Sequence, residues 1–197
     1  MFEAVIFDLN GVILAEEEYF TQRLEKKYNI SNEVFYKIFN EVIHIGRKPG
    51  CEDFFALWEL KLKELGLSVS KEEFFDLWFL PEKLVTEFLD YIKELRNQGL
   101  KVFILSNNFK ERTNYYRENF PEIFNSVDEV YFSWETGFVK PNLEAYNNLL
   151  RLNSLNANSV IYFDDVEENI AAAESIGIKS YKYNGLEETK KVIENLL

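Results

Sequence analysis

The chain has 197 residues, 47% of them hydrophobic, enough for one well-buried core or a core carrying a modest inserted unit. Its 34 Asp and Glu outnumber 22 Lys and Arg for a net charge of -12, which argues against binding of nucleic acid or anionic membrane surfaces. A single cysteine, Cys51, excludes an intrachain disulfide and fits a reducing compartment. The start of the chain has acids and no basic stretch, so it reads as neither signal peptide nor membrane span, and the expected location is cytoplasmic.

The apolar run at 2–7 predicts a buried parallel strand that stops at Asp8, with Gly11 permitting the sharp turn out of a sheet. From 15 to about 79 only helical periodicity is legible. Tyr19, Leu24 and Tyr28 share one expected face. A second helix carries Val34, Phe35, Ile38, Phe39 and Val42 behind an N-cap at Ser31. The Gly and Pro content of 44–50 reads as a loop. Phe54, Phe55, Trp58, Leu62 and Leu65 follow at helical spacing, Gly66 stops that helix, and Ser70 with Glu73 predicts a capping box for the next. Pro81 suits the first turn of a helix running to about Gln98. Strands are expected at 101–105, 127–132, 159–163 and 178–183, and helices at 110–119, 141–152, 166–176 and 186–197. This alternation implies an α/β fold, a Rossmann-like parallel sheet covered on both faces, with an all-helical unit inserted after the first strand. The expected division is a core of 1–14 and 80–197 and a helical cap of 15–79.

Polar residues gather where the strands end: Asp8 after the first, Ser106-Asn107 after the second, Asp164-Asp165 after the fourth, and Lys140 ahead of the helix that follows the third. In a parallel sheet these ends lie along one edge and can converge. Three carboxylates, a hydroxyl and an ammonium fit a site for a divalent cation such as Mg²⁺ together with a phosphoryl group.

In their order, these four motifs resemble the haloacid dehalogenase-like (HAD) hydrolase superfamily. Asp8-Leu9-Asn10-Gly11-Val12 matches its first motif, Ser106 its second, Lys140 its third and the pair Asp164-Asp165 its fourth. The helical insert is similar to the cap of the subfamily that includes sugar-phosphate phosphatases and the phosphatase domain of soluble epoxide hydrolases. The resemblance implies a Mg²⁺-dependent phosphatase acting on a small phosphorylated metabolite. Asp8 would form an aspartyl-phosphate. The metal ligands would be Asp8, the Asn10 carbonyl and Asp165, with Asp164 beside them. Ser106, the Asn107 amide and Lys140 would hold the phosphoryl group.

Position 10 departs from the pattern. Phosphatases of this superfamily carry a second Asp there as acid/base, and a carboxamide cannot exchange a proton near neutral pH. Loss of a positioned acid/base costs ~10²–10⁴-fold in rate. Four readings stand open: an introduced substitution that traps a complex, a natural variant using another base, a silent phospho-ligand-binding or interaction protein, and a haloacid dehalogenase-type hydrolase, whose leaving halide needs no proton.

Smaller signals remain. His44, with Arg47 and Lys48, reads as a solvated loop or as a substrate-facing group of the cap. Cys51 reads as a packed side chain. Phe54, Phe55, Trp58, Phe74, Phe75, Trp78 and Phe79 form an aromatic stripe expected in the cap core. The acid runs 16–18 and 187–188 are expected at helix starts, and Asn169 is expected to brace the acidic loop.

Overall fold

A computed structural model describes residues 1–197. Five parallel strands form the central sheet: β1 (Ala4–Phe7), β4 (Lys101–Ser106), β5 (Glu129–Phe132), β6 (Val160–Asp164) and β7 (Lys179–Lys182), in the order β5-β4-β1-β6-β7. From β1 the chain builds outward through β4 and β5, then returns to the other side of β1 for β6 and β7. The crevice beyond the carboxyl ends of β1 and its neighbours is therefore the switch point where open α/β sheets bind ligands.

The near-continuous apolar composition of the inner strands follows from burial on both faces. Val5, Phe7, Val102, Ile104, Ile161 and Phe163 face one layer, packed on α5 (Thr86–Asn97) through Phe88 and Ile92 and on α6 (Lys110–Asn119) through Tyr116. Ala4, Ile6, Phe103, Leu105, Val160 and Tyr162 face the other, against Tyr146 and Leu149 of α9 (Leu143–Leu152) and Ala173 of α10 (Glu167–Ser175). The two-residue period of a strand divides each run between these layers. The last helix, α11 (Leu186–Glu194), adds Ile193 to the first layer.

Between β1 and α5 lie a two-stranded antiparallel ribbon and four helices. The ribbon pairs β2 (Leu14–Ala15) with β3 (Lys83–Leu84) and carries the chain into and out of the helical segment. The helices are α1 (Phe20–Tyr28), α2 (Asn32–Gly46), α3 (Phe54–Glu64) and α4 (Lys71–Phe79), and they enclose a separate aromatic cluster that includes Phe20, Phe35, Phe54, Trp58, Phe74 and Trp78. The sheet unit contributes one residue to that cluster: Phe109, whose ring stacks on Phe54 at 4.1 Å between centroids.

Several local expectations need correction. In α1 the buried face is Phe20, Thr21 and Leu24, while Tyr19 is exposed. Helix α2 continues to Gly46, so His44 is helical, because the apolar residues Val42 and Ile43 keep the last turn packed. Ser31 does cap α2, accepting from the Glu33 N–H at 3.2 Å. Ser70 caps α4, but Glu73 completes no box there, since its carboxylate instead takes Lys27 at 2.6 Å and the Tyr28 hydroxyl at 2.9 Å. Pro81 opens no helix: the ribbon intervenes, and α5 begins at Thr86. The acids at 16–18 precede α1, and Glu16 pairs with Arg23 at 2.9 Å. Two short helices, α7 (Pro121–Ser126) and α8 (Ser133–Thr136), were not legible in the periodicity, being too short to show one.

Candidate active site

Asp8 leaves β1 at the sheet edge, and its N–H is held by the Phe163 carbonyl at 2.9 Å. The turn behind it closes through Ile13 and Leu14 N–H bonds to the Leu9 carbonyl at 2.9 and 2.8 Å. Gly11 has φ +84°, and a Cβ there would stand 2.5 Å from Asp165 Oδ2. The glycine thus serves two needs at once, the left-handed turn and the close approach of the second acid of the 164–165 pair.

Lys140 lies at the centre. Its ammonium donates to Asp8 Oδ1 at 2.8 Å and to Asp164 Oδ2 at 2.6 Å, and it is only 4% exposed. The Asn107 carboxamide positions it, donating to the Lys140 carbonyl at 2.8 Å and accepting from the Lys140 N–H at 2.9 Å. Asp164 is fixed from every side. It accepts from the Val166 N–H at 2.8 Å, from Asn169 Nδ2 at 3.0 and 3.1 Å, and from the Tyr162 hydroxyl. Asn169 therefore braces the acidic loop as its position suggested, and its own carbonyl accepts from Tyr146 at 2.9 Å.

Electrostatics follow from this packing. Burial raises the Asp8 carboxyl to about 6, with Lys140 working against that and Asp164 adding to it. Burial also acts on Asp164, but Lys140, the tyrosine hydroxyl and the Val166 N–H outweigh it and hold the group below its ordinary value. Burial and the neighbouring Asp164 push Asp165 up. Lys140 stays charged, since its two carboxylates overcome its own desolvation. The cluster thus sets three carboxyl groups against a single ammonium. The carboxylates of Asp8, Asp164 and Asp165 offer oxygen atoms all within 4.8 Å of one another. Oxygen donors with excess negative charge at that spacing fit a hard divalent cation such as Mg²⁺.

Asn10 and Asn108 occupy the adjoining edge. Asn108, fully buried, donates through Nδ2 to Asn10 Oδ1 at 2.8 Å and to Ser106 Oγ at 3.0 Å. Its main chain is tied to Ser133, whose Oγ accepts from the Asn108 N–H at 3.1 Å. Asn10 Nδ2 donates in turn to the Tyr116 hydroxyl at 2.7 Å. Both ends of the Asn10 carboxamide are therefore engaged by the protein. Beyond Tyr116 lies a buried ion pair, Arg112 with Glu82, the latter at the exit from the helical segment.

All the residues expected at the site meet at this edge. Asp8, Ser106, Lys140, Asp164 and Asp165 converge with Asn10 and Asn107, the latter with its side chain turned to Lys140. His44 is exposed, with Nδ1 3.3 Å from the Asn40 carbonyl one turn back. Tyr162, Tyr116, Arg112 and Glu82 were missed. Tyr162 had a signal, since it precedes Asp164 by two residues and so shares its side of the strand. Arg112 and Tyr116 are four apart on one helix and likewise share a face. Glu82 carried no signal.

A family model for haloacid dehalogenase-like hydrolases matches residues 2–177, and the chain belongs to that family. Its fold is that of HAD family enzyme bt-2542 from Bacteroides thetaiotaomicron, with a TM-score of 0.82 at 20% identity over 97% of this chain and 98% of that one. The same enzyme has been solved in complex with magnesium and inorganic phosphate, and that structure matches at a TM-score of 0.77 and 22% identity, covering 92% and 94% of the two chains. Among curated proteins, the sesquiterpene phosphatase astK of Aspergillus oryzae is 31% identical over 98 residues, half of this chain and 48% of that protein. Acyl-CoA dehydrogenase family member 10 of mouse is 26% identical across all of this chain, which matches 19% of it. The chain thus spans about a fifth to a half of the length of these curated relatives. No helix is long and apolar enough to cross a membrane.

Proposed function

We propose that this chain hydrolyses a small phosphate monoester through an aspartyl-phosphate on Asp8, with the helical segment 15–79 acting as a cap over the core of 1–14 and 80–197. The observation that carries the reading is the Lys140 bridge between Asp8 and Asp164 at the ends of adjacent parallel strands. The names of the relatives support it: one is a sesquiterpene phosphatase, and another, from Marinobacter nauticus, an enolase-phosphatase, 29% identical over 46% of this chain and 40% of that protein. In the first step an Asp8 oxygen forms a bond to phosphorus. The bond from phosphorus to the ester oxygen breaks, and that oxygen departs with the electron pair. In the second, water attacks phosphorus, the bond from phosphorus to the Asp8 oxygen breaks with its electron pair returning to the carboxylate, the water's proton passes to solvent, and inorganic phosphate leaves.

Lys140 orients Asp8 and lies where it offsets phosphoryl charge. The Ser106 hydroxyl and the Asn107 main-chain amide are assigned to the phosphoryl oxygens, since the Asn107 side chain is taken by Lys140. Asp8, Asp165 and the Asn10 carbonyl, with Asp164 beside them, are the groups assigned to Mg²⁺, which when bound supplies positive charge against the phosphoryl oxygens. Asn10 cannot supply or take the proton in either step, so turnover is slow and favours leaving groups that depart without one. The location assigned to the protein is the cytoplasm, and its ligand a small phosphorylated metabolite rather than nucleic acid or membrane.

The test is a time course of p-nitrophenyl phosphate hydrolysis, with and without Mg²⁺, on this chain and on Asn10→Asp. The expected result is Mg²⁺-dependent release in both, with Asn10→Asp faster by ~10²–10⁴-fold. No phenolate release from either protein, with 2-haloacids dehalogenated instead or phosphate esters bound unchanged, would overturn the phosphatase reading.

A further inference from the structure

The carboxamides of Asn10 and Asn108 form a chain in which each hydrogen has a direction. An amide nitrogen donates and cannot accept. Asn10 Nδ2 stands 2.7 Å from the Tyr116 hydroxyl, so the tyrosine oxygen accepts there and its own proton turns elsewhere. Asn108 Nδ2 is 2.8 Å from Asn10 Oδ1 and 3.0 Å from Ser106 Oγ, so both of its hydrogens are committed. Ser133 Oγ pins the Asn108 main chain from two sides, accepting from its N–H at 3.1 Å and donating to its carbonyl at 3.2 Å. Ser106 Oγ is therefore the acceptor in its bond with Asn108. Its hydroxyl proton is left for a partner from outside the protein.

The reverse direction is the alternative. With both carboxamides turned over, Tyr116 would donate to Asn10, Asn10 to Asn108, and Ser106 would give its proton to Asn108 Oδ1. Nothing would then remain for a ligand. The choice between the two directions is made at the far end of the chain. Glu82 is buried there and paired with Arg112, and its Oε2 has no hydrogen-bond partner. Arg112 in turn is held between the rings of Trp78 and Tyr116, each 5.6 Å from its guanidinium. Burial raises the Glu82 carboxyl, and Arg112 and then the Tyr116 hydroxyl work against that. A hydroxyl does so by turning its proton to the carboxylate. The tyrosine oxygen is then free to accept from Asn10 Nδ2, and every later link follows.

We propose that Glu82, Tyr116 and Asn108 are positioning residues, which through this directed chain make Ser106 a hydrogen-bond donor to an anionic oxygen of the ligand. This deepens the phosphatase reading and rests on its assignment of Ser106 to the phosphoryl group. The oxygens of a phosphate dianion accept and cannot donate. A hydroxyl already turned outward meets them without first breaking a bond to its neighbour. The role is separate from acid/base chemistry at position 10, since a carboxylate there would still accept from Asn108 Nδ2.

Titration calorimetry with inorganic phosphate in Mg²⁺ tests the proposal without requiring turnover, in a cycle of two substitutions. Ser106→Ala should weaken phosphate binding by about 10- to 100-fold, the range of a hydrogen bond to a charged group. Tyr116→Phe keeps the Glu82–Arg112 pair and removes only the acceptor of Asn10 Nδ2. It should weaken binding by about 3- to 10-fold when Ser106 is present and leave it unchanged in Ser106→Ala. A purely structural role for Tyr116 would weaken both alike. Asn108→Ala cuts the chain one link nearer to Ser106 and should show the same dependence with a larger loss. Thermal melts check that each variant is folded. If phosphate binds, and Tyr116→Phe and Asn108→Ala either leave its affinity unchanged or weaken it equally with and without the Ser106 hydroxyl, the proposal fails and the phosphatase reading survives. The proposal fails in the same way if Ser106→Ala binds phosphate as tightly as the unaltered chain. If the unaltered chain binds no phosphate in Mg²⁺, both fall together.

Discussion

The sheet edge and the seam above it treat buried polar groups in opposite ways. At the sheet edge, Lys140 has two carboxylates and Asp164 has a lysine, a tyrosine, an asparagine and a backbone N–H. None of the partnerless buried atoms belongs to Asp8, Lys140, Ser106 or Asp164. In the seam between the helical segment and the sheet, Arg47 has no counter-ion, and three buried atoms, Arg47 Nε, Arg112 Nε and Glu82 Oε2, have no partner. A group finished by the protein's own bonds is preorganised for one job, here the proposed handling of a phosphoryl group. A group left unfinished is free to take its last partner from outside.

The contrast can be broken first at Lys140. Lys140→Met should cost about 3–5 kcal/mol of stability, because Asp8 and Asp164 stay buried without their cation. Urea unfolding should record it, with the loss greater at pH 8 than at pH 5, where the carboxyls can take up protons. An unchanged midpoint would mean that the bridge does not stabilise the edge.

A smaller effect of opposite sign is expected at Asp8. Its carboxyl is held at about 6 by burial, above its ordinary 3.8. Between those values the folded state binds more protons than the unfolded one, so stability is lost as pH rises through about 6 and the penalty is complete above it. Asp8→Asn should therefore stabilise the metal-free protein at pH 8, by at most about 3 kcal/mol. It should give no gain below about pH 4, and it should weaken stabilisation by added Mg²⁺. A gain at pH 4 equal to that at pH 8 would contradict the assignment.

The smallest effect sharpens the comparison. Tyr162→Phe removes one of several donors to Asp164, so it should cost about 1 kcal/mol in unfolding and less than about tenfold in p-nitrophenyl phosphate turnover. A much larger loss of turnover would make Tyr162 part of the chemistry.

The same division governs what could be read in the sequence. The sheet edge was legible because each of its polar residues ends an apolar run, as Asp8 ends Ala4–Phe7 and Asp164 ends the run in β6. Their convergence then followed from parallel topology alone. The seam was not legible. Glu82 and Arg112 lie 30 residues apart, in a turn and on a helix with no marked apolar face, and nothing local pairs them. Arg47 could be singled out as a cation in a Gly- and Pro-rich stretch, but its lack of a partner belongs to the packing of two units. The boundary near Pro81 went astray for a related reason. A two-residue ribbon is too short to show a period, and Pro81 is as much at home in the turn before it as at the head of a helix.

Gly46 has a consequence for how this molecule can change. Where α2 ends, the contact with Phe54 and Phe109 leaves no room for one added methyl group. Alanine at 46 would act as a doorstop between α2 and α3, since the 2.3 Å approach is to Phe54 of the same helical segment, and it would crowd Phe109 from 3.3 Å. Drift at this position would retune how the helical segment packs on itself, without touching a single charged group.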